Sequence, residues 1–191
     1  MEQATGALDV AEEHDYQVWR ALALALQGVA IAGLGRPEEG HAQIERGIAL
    51  YEGLNTPPIF WPVLLSLRAR GFALSGRPTE GLDAIDQVIE LTGGGNILDP
   101  EFALLKAELL WDLADVDGAD HVLQGAYDSS RRMGIRMSQL RAAVRLTRLR
   151  RAVGTRPDGT DALRRIYETF TEGLATPDLV DARNVLERAA N

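Results

Sequence analysis

Seven side chains in this 191-residue chain have types and spacings suited to chemistry at a surface: Arg70, Glu108, Trp111, Asp112, Arg141, Arg148 and Arg151. Three-to-four spacing puts each on one face of a helix, together with Val63 and Ser66, Glu101 and Leu104, and Val144. Leu22, Ala25 and Val29 take the same places on an earlier helix. Lined up, these faces form a groove that runs from apolar, through acidic with one tryptophan, to basic. Two readings stand side by side. Tryptophan and arginine are favoured binding anchors, so the groove would dock an acidic peptide or a neighbouring domain. Alternatively, Glu108 and Asp112 pair with arginines on the following helix, each surface pair contributing about 0–1 kcal/mol.

No catalytic constellation accompanies the groove. Gly33-x-Gly35 and Gly93-Gly94-Gly95 resemble phosphate loops only in their glycines. The first lacks a preceding strand and a following Gly-Lys-Ser/Thr, and the second lacks a nearby lysine, so both read as helix-ending turns. The carboxylate pairs Glu12/Glu13 and Glu38/Glu39 fall at helix ends, where charge is solvated, and Ser129-Ser130 is polar helix surface. His14, His41 and His121 are far apart, and cysteine is absent, which removes disulfides, thiolate metal sites and thiol nucleophiles. The expectation is a protein without cofactor, metal or catalysis.

The net charge of −8 conceals a split: residues 1–130 hold 21 acidic and 7 basic side chains, residues 131–191 hold 7 and 13. Arg131 to Arg156 spans nine arginines and no carboxylate. Arg141, Arg145, Arg148 and Arg151 share a helical face, which phosphate binding would require, but the acidic remainder repels a duplex and no reading helix is evident. Direct nucleic-acid binding is therefore disfavoured. No apolar run reaches the roughly 18 residues of a spanning helix, and Met1-Glu2-Gln3-Ala4-Thr5 lacks the regions of a signal peptide. A cytoplasmic protein is expected.

The elements that would position the groove repeat. Leu34-Gly35-Arg36-Pro37-Glu38-Glu39-Gly40 returns as Ser75-Gly76-Arg77-Pro78-Thr79-Glu80-Gly81, with weaker echoes in Asp115-Val116-Asp117-Gly118-Ala119 and Gly154-Thr155-Arg156-Pro157-Asp158-Gly159. The small residues Gly40, Gly81, Ala119 and Gly159 follow one another by 41, 38 and 40 residues. Periods of this length with helical hydrophobicity predict an all-α superhelix, a solenoid of about four helix pairs plus a capping helix, forming one repeat domain over 1–191. Helix pairs are expected at about 17–33 and 37–53, 60–74 and 79–91, 100–113 and 118–133, and 138–153 and 159–171. Glycine after a helix end and proline inside the next start explain the turns.

A last helix is expected after Thr176-Pro177-Asp178. Leu179, Ala182, Val185, Leu186 and Ala189 form one apolar stripe opposite Asp181, Arg183, Asn184, Glu187 and Arg188. A helix apolar on one side only closes a solenoid, so the C-terminus reads as a true end. Ala7-Leu8 and Trp19 align with Ala49-Leu50 and Trp61. Residues 3–13 thus read as the second helix of an earlier pair, and the chain as a piece of a longer array.

The pairs resemble tetratricopeptide repeats. Gly28, Ala69, Ala107 and Thr147 take the small position of each first helix, although threonine fits poorly. Gly40, Gly81, Ala119 and Gly159 take that of each second, followed by Ile44, Ile85, Leu123 and Leu163 and then by Gly47, Val88, Ala126 and Ile166. The period exceeds the usual 34 residues, and most consensus aromatic and proline positions are missing. The run Tyr167 to Ala182, with Lys106-Ala107-Glu108-Leu109-Leu110-Trp111 and Leu140-Arg141-Ala142-Ala143, resembles the C-terminal region of large bacterial signalling proteins. In those, a STAND-type ATPase accompanies an adenylate cyclase-like domain or a LuxR-type helix-turn-helix, and a long repeat region follows. The resemblance spans about residues 7–187. It implies a protein-binding sensor or scaffold region whose partner is a protein, a peptide or a neighbouring domain, with homo-oligomers open, and it brings no catalytic residue. A small-molecule effector receptor using the same groove is the second reading, which a buried pocket beside Trp111 or Trp19 would favour.

Overall fold

A computed structural model describes residues 2–154 and 157–190, with the side chains of residues 2, 189 and 190 left out of the description. The described residues form helices and turns without a strand. Two compact units divide the chain at Gly94. Unit 1 holds α1 (Glu2–Glu13), α2 (Gln17–Gly33), α3 (Pro37–Gly53), α4 (Trp61–Leu74) and α5 (Pro78–Thr92). Unit 2 holds α6 (Asp99–Asp112), α7 (Val116–Met133), α8 (Arg136–Val153), α9 (Thr160–Tyr167) and α10 (Pro177–Ala190). Short turns join these helices into antiparallel pairs, the building block of the α-α superhelix class. No helix among the described residues is long and apolar enough to cross a membrane. No group of three or more potential metal ligands occurs among them either.

One turn geometry recurs between the first and second helix of each pair. Gly35, Gly76, Ala114 and Gly154 all have positive φ, spaced by 41, 38 and 40 residues. In unit 1 the next helix starts on Pro37 or Pro78, and the preceding arginine pairs with the glutamate three residues on, Arg36 with Glu39 and Arg77 with Glu80. The start of α7 reaches the same shape by different chemistry. The Asp115 carboxylate accepts the Gly118 N–H at 3.0 Å as a side-chain cap, and Ala114 takes the left-handed place at φ 60°. This is why the third echo of the turn is weak in sequence. In the fourth echo, Thr155 and Arg156 lie outside the described residues.

Each pair packs through its small residues. In unit 1 the backbones of α2 and α3 touch. A Cβ on Gly28 would stand 2.5 Å from the Gly40 carbonyl oxygen, and one on Gly40 would stand 2.5 Å from that of Gly28. A Cβ on Gly47 would meet the Ala21 carbonyl at the same distance. Ala21, Leu22, Ala25, Ile44, Ile48, Tyr51 and Leu64 form the core around this crossing. Ala69, Ala107 and Thr147 occupy the matching place in the other pairs, all buried. Thr147 fits because its hydroxyl donates to the Ala143 carbonyl at 2.8 Å, which leaves no unmet polar group at the crossing. Its neighbour is Gly159, which precedes α9 at φ 87° and is not the in-helix residue that Gly40, Gly81 and Ala119 are.

Helix α9 stops at Tyr167, not near Thr171 as the spacing predicts. The Thr169 hydroxyl donates to the Ile166 carbonyl at 2.7 Å, and the Phe170 N–H bonds to the Tyr167 carbonyl, so the last turn tightens. Phe170 then packs on the core of Leu140, Ala143, Val144, Leu163 and Ile166. Leu179, Ala182 and Val185 of α10 complete that core with Leu186 at its margin, while Arg183, Asn184, Glu187 and Arg188 are exposed. Asp181 is half-buried and faces α8, contrary to its expected solvent position. The side chain of Ala189, expected in the stripe, is outside the described residues.

Two stability results follow from these crossings and turns. Gly28→Ala should destabilise the chain by about 1–3 kcal/mol, and Ala107→Leu by a similar amount, through overpacking against backbone. Glu52→Ala, on the exposed surface, should stay within about 0.5 kcal/mol. Urea midpoints at constant slope read the difference, and equal shifts for all three would refute the crossing geometry. Ala114→Gly should instead stabilise by about 0.5–1 kcal/mol, because glycine relieves the steric cost of a left-handed residue by more than it adds chain entropy. A lowered midpoint would show that Ala114 is not strained.

Candidate partner-binding groove

Six of the seven groove residues belong to unit 2, on α6 and α8, whereas Arg70 is half-buried on α4 of unit 1. Within unit 2, α6, α8 and α10 are adjacent first-position helices, and α10 stands where the leading helix of a further pair would stand. This placement decides which arginines meet which acids. Arg141 donates to both carboxylate oxygens of Asp178 on α10, at 2.9 and 2.8 Å, and to Glu101 on α6 at 3.1 Å. Ser138 donates to the same Glu101 oxygen at 2.7 Å. Arg148 pairs with Asp181 on α10. Arg145 donates to the Leu104 carbonyl at 2.6 Å and lies 3.5 Å from Glu108.

The expected internal pairing of Glu108 and Asp112 is thus met only at Glu108, and through Arg145. Asp112, the last residue of α6, is exposed and makes no ion pair among the described residues. Arg148 turns the other way, toward α10, and Arg141 bridges Glu101 of α6 and Asp178 of α10. The reason is geometric: Asp178 and Asp181 head α10 and sit on the turns that face Arg141 and Arg148. Arg151 sits near the far end of α8 and is also spoken for. It donates to Asp158 at 3.0 Å, to the Thr160 hydroxyl at 2.7 Å and to the Val185 carbonyl of α10 at 2.9 Å.

Electrostatics follows the hydrogen bonds. The bond to Asp178 raises Arg141 well above the ordinary guanidinium value, more than burial lowers it, and Glu101 adds to the rise. The same bond lowers the Asp178 carboxyl, against a partial burial penalty. Asp158 is held down to about 2, chiefly by the Thr160 hydroxyl and N–H and then by Arg151. Asp120 on α7 is lowered by Arg150, which grips it at 2.6 and 2.9 Å. Asp178, Asp181, Asp120 and Arg150 belong to this charge network and are not among the seven residues expected from the sequence. For Asp178 alone the sequence carries a signal, since Glu101, Arg141 and Asp178 are 40 and 37 residues apart, close to one repeat period.

Two depressions remain on this face. One of about 280 Å³ is polar, walled by the paired side chains of Glu101, Arg141, Arg145, Arg148, Asp178 and Asp181. The other, about 300 Å³, is mainly apolar: Ala107, Leu123, Leu149 and Ala152 form its lining with Trp111, while Glu108, Arg145 and Arg148 add polar groups. Trp111 is 43% exposed there. Of the seven residues, the fold gathers Glu108, Trp111 and Arg148 at this second depression and commits Arg141 and Arg151 to holding α10.

No protein-family model and no curated protein matches the sequence. Two solved structures are similar in fold. One is a Podosopora anserina protein of kinesin light chain type with nearly identical TPR-like repeats, at TM-score 0.69 and 17% identity over 89% of this chain and 85% of that one. The other is a single-substitution variant of it, at TM-score 0.69 and 16% identity over 89% and 84%. The fold is therefore that of TPR-like repeats, an all-α array of the α-α superhelix class.

The ion pairs of the α8 arginines with Asp178, Asp158 and Asp120 make acid lability an expected property of unit 2. Asp178, Asp158 and Asp120 have lowered folded values, so their stabilisation is complete above the usual aspartate value of 3.8 and is lost as pH falls through the folded values. Melting temperature should fall from about pH 4 towards pH 2, and Asp178→Asn should flatten part of that fall. Arg141→Ala should cost about 1–3 kcal/mol at neutral pH, because it strips hydrogen bonds from two carboxylates. Arg148→Ala, at an exposed pair, should cost less than about 1 kcal/mol. Equal costs would mean that Arg141 is not the pin that holds α10.

Proposed function

We propose that this chain is a protein-interaction and scaffold region, without catalysis of its own, within a larger bacterial STAND-type signalling or transcription-regulating ATPase of the cytoplasm. Residues 1–191 would act as one repeat domain of that protein. The TPR-like fold supports binding of a protein partner, and the resemblance of residues 167–182 supports the parent class. The observation that carries the binding site is Trp111: a large, half-exposed aromatic side chain over an apolar depression with Arg148 at its edge. Aromatic and arginine anchors around a desolvated pocket dominate binding energies at interfaces. The partner that suits this site presents an apolar side chain next to an acidic one, on a peptide or on a neighbouring domain of the parent protein.

The receptor reading rests on an enclosed pocket. The depression at Trp111 is open, which supports a protein ligand over a small effector. Phosphate binding by the arginine run is weakened by its internal use, since Arg141, Arg145, Arg148, Arg150 and Arg151 all hold carboxylates or carbonyls of this chain. Arg156 of that run lies outside the described residues.

The experiment is a pull-down and a melt on the same variants, with the remainder of the parent reading frame as bait. Trp111→Ala should reduce capture by at least about tenfold, the size of a hot-spot truncation, with little change in melting temperature. Arg141→Glu should lower the melting temperature first and capture only as unfolding sets in. Capture that survives Trp111→Ala and is lost only on unfolding would remove the docking reading.

A further inference from the structure

A second face, in unit 1, carries the opposite chemistry. Tyr16 and Trp19, at the start of α2, are 54% and 57% exposed, and Ile59 in the turn before α4 is 74% exposed. Trp19 is positioned by packing, with its ring 5.5 Å from that of Phe60 at an interplanar angle of 54°. The Phe60 N–H in turn bonds to the Tyr51 hydroxyl, which donates to the Pro57 carbonyl at 2.9 Å. Tyr16 and Trp19 line an open depression of about 500 Å³ with Asp15, Val18, Leu54 and Asn55. Exposed aromatic side chains held in place over a hollow mark an interaction surface.

Its charge identifies the occupant. The depression lies where α1 and α3 both end, and neither last turn contains a base. A helix C-terminus carries partial negative charge and is ordinarily matched by lysine or arginine. In unit 2, α7, α8 and α9 follow that rule with Arg131 and Arg132, Arg150 and Arg151, and Arg164 and Arg165, and α6 does not. Here Glu12, Glu13 and Glu52 stand at the helix ends, with Asp15 between α1 and α2. Arg20 answers Glu12 at 3.3 Å, and Asp15 accepts from the Gln17 amide. Residues 1–94 as a whole carry 13 acidic and 6 basic side chains. Negative potential beside exposed indole and phenol rings is what a guanidinium or ammonium group seeks, through carboxylate contact and the ring faces together.

We propose that this face docks a basic segment of a partner protein, with an arginine or lysine side chain seated against Trp19 and Tyr16 beside Asp15. The site is separate from the Trp111 depression and does not depend on it. Trp111 suits an acidic segment, so the two units present complementary preferences.

Titration of the full, ¹⁵N-labelled chain with end-blocked hexa-arginine, hexa-lysine and hexa-glutamate peptides tests this. The two basic peptides should shift the Trp19 indole N–H and the Tyr16 and Asn55 amides, leave the Trp111 indole in place, and weaken as salt rises. Trp19→Ala and Asp15→Asn should each weaken hexa-arginine binding by about three- to tenfold. Asn tolerates the left-handed φ of 55° at residue 15, so that variant keeps the fold even if Trp19→Ala does not. Asp83→Asn, on the exposed face of α5, should change nothing. Equal weakening by Asp83→Asn would mean diffuse attraction to an acidic surface and would overturn the site. So would unchanged binding in Asp15→Asn, absence of binding, or capture of hexa-glutamate at the same residues. Self-association abolished by Trp19→Ala would make a second copy the occupant and equally overturn the proposal.

Discussion

The contact between the α2 and α3 backbones sets the scale of everything built on them. With Gly28 and Gly40 facing each other's carbonyl oxygens, there is no room for a Cβ on either side. Two helices that approach this closely bring their flanking side chains, Leu22 and Ala25 from one and Ile44 and Ile48 from the other, into a single buried core. The remaining pairs carry buried alanine or threonine at the small position of the first helix, Ala69, Ala107 and Thr147. What varies is how each crossing meets its polar demands. Thr147 satisfies its hydroxyl on its own helix, so it stands in for a small residue without a buried unpaired donor. The repeat is thus a repeat of geometry first and of residue type second.

Turn chemistry follows the same logic. A left-handed residue is required where the first helix of each pair stops, and three of the four turns supply glycine. The fourth, at Ala114, holds its place because Asp115 caps the next helix and fixes the exit direction. A cap and a glycine-proline pair are different solutions to one constraint, the need to reverse direction within a few residues while satisfying the free N–H groups of the next helix.

Charge is distributed by structural role. On α8 a cationic helix lies between two helices that offer acids, Glu101 and Glu108 from α6 and Asp178 and Asp181 from α10, and the arginines are consumed as stitches between them. Such half-exposed pairs add little stability individually, but they fix the register of α10 on a core it shares with α8 and α9. In unit 1 acids collect at the ends of α1 and α3, whose last turns contain no base, and among the described residues only Glu12 is met, by Arg20 of α2. An arginine-rich stretch is a poor guide to a binding site where, as on α8, its side chains pair within the unit.

The sequence by itself determined the helices, their pairing and the small-residue crossings, because periodicity, glycine, proline and caps act within a few residues of one another. Gly35-Arg36-Pro37 and Gly76-Arg77-Pro78 specify their turns locally, and the apolar stripe of α10 specifies a helix that must lie on a neighbour. Local rules also foresaw where Leu163, Ile166, Leu179 and Val185 would be buried. They did not foresee the end of α9 at Tyr167, since Phe170 leaves the helix for a core that only the folded unit assembles. They placed Arg141, Arg148 and Arg151 on one face but could not say what that face would meet. Only the tertiary structure decided that Asp178 and Asp181 stand opposite Arg141 and Arg148, because a long, flexible arginine reaches whichever carboxylate the packing of the next helix brings within about 3 Å.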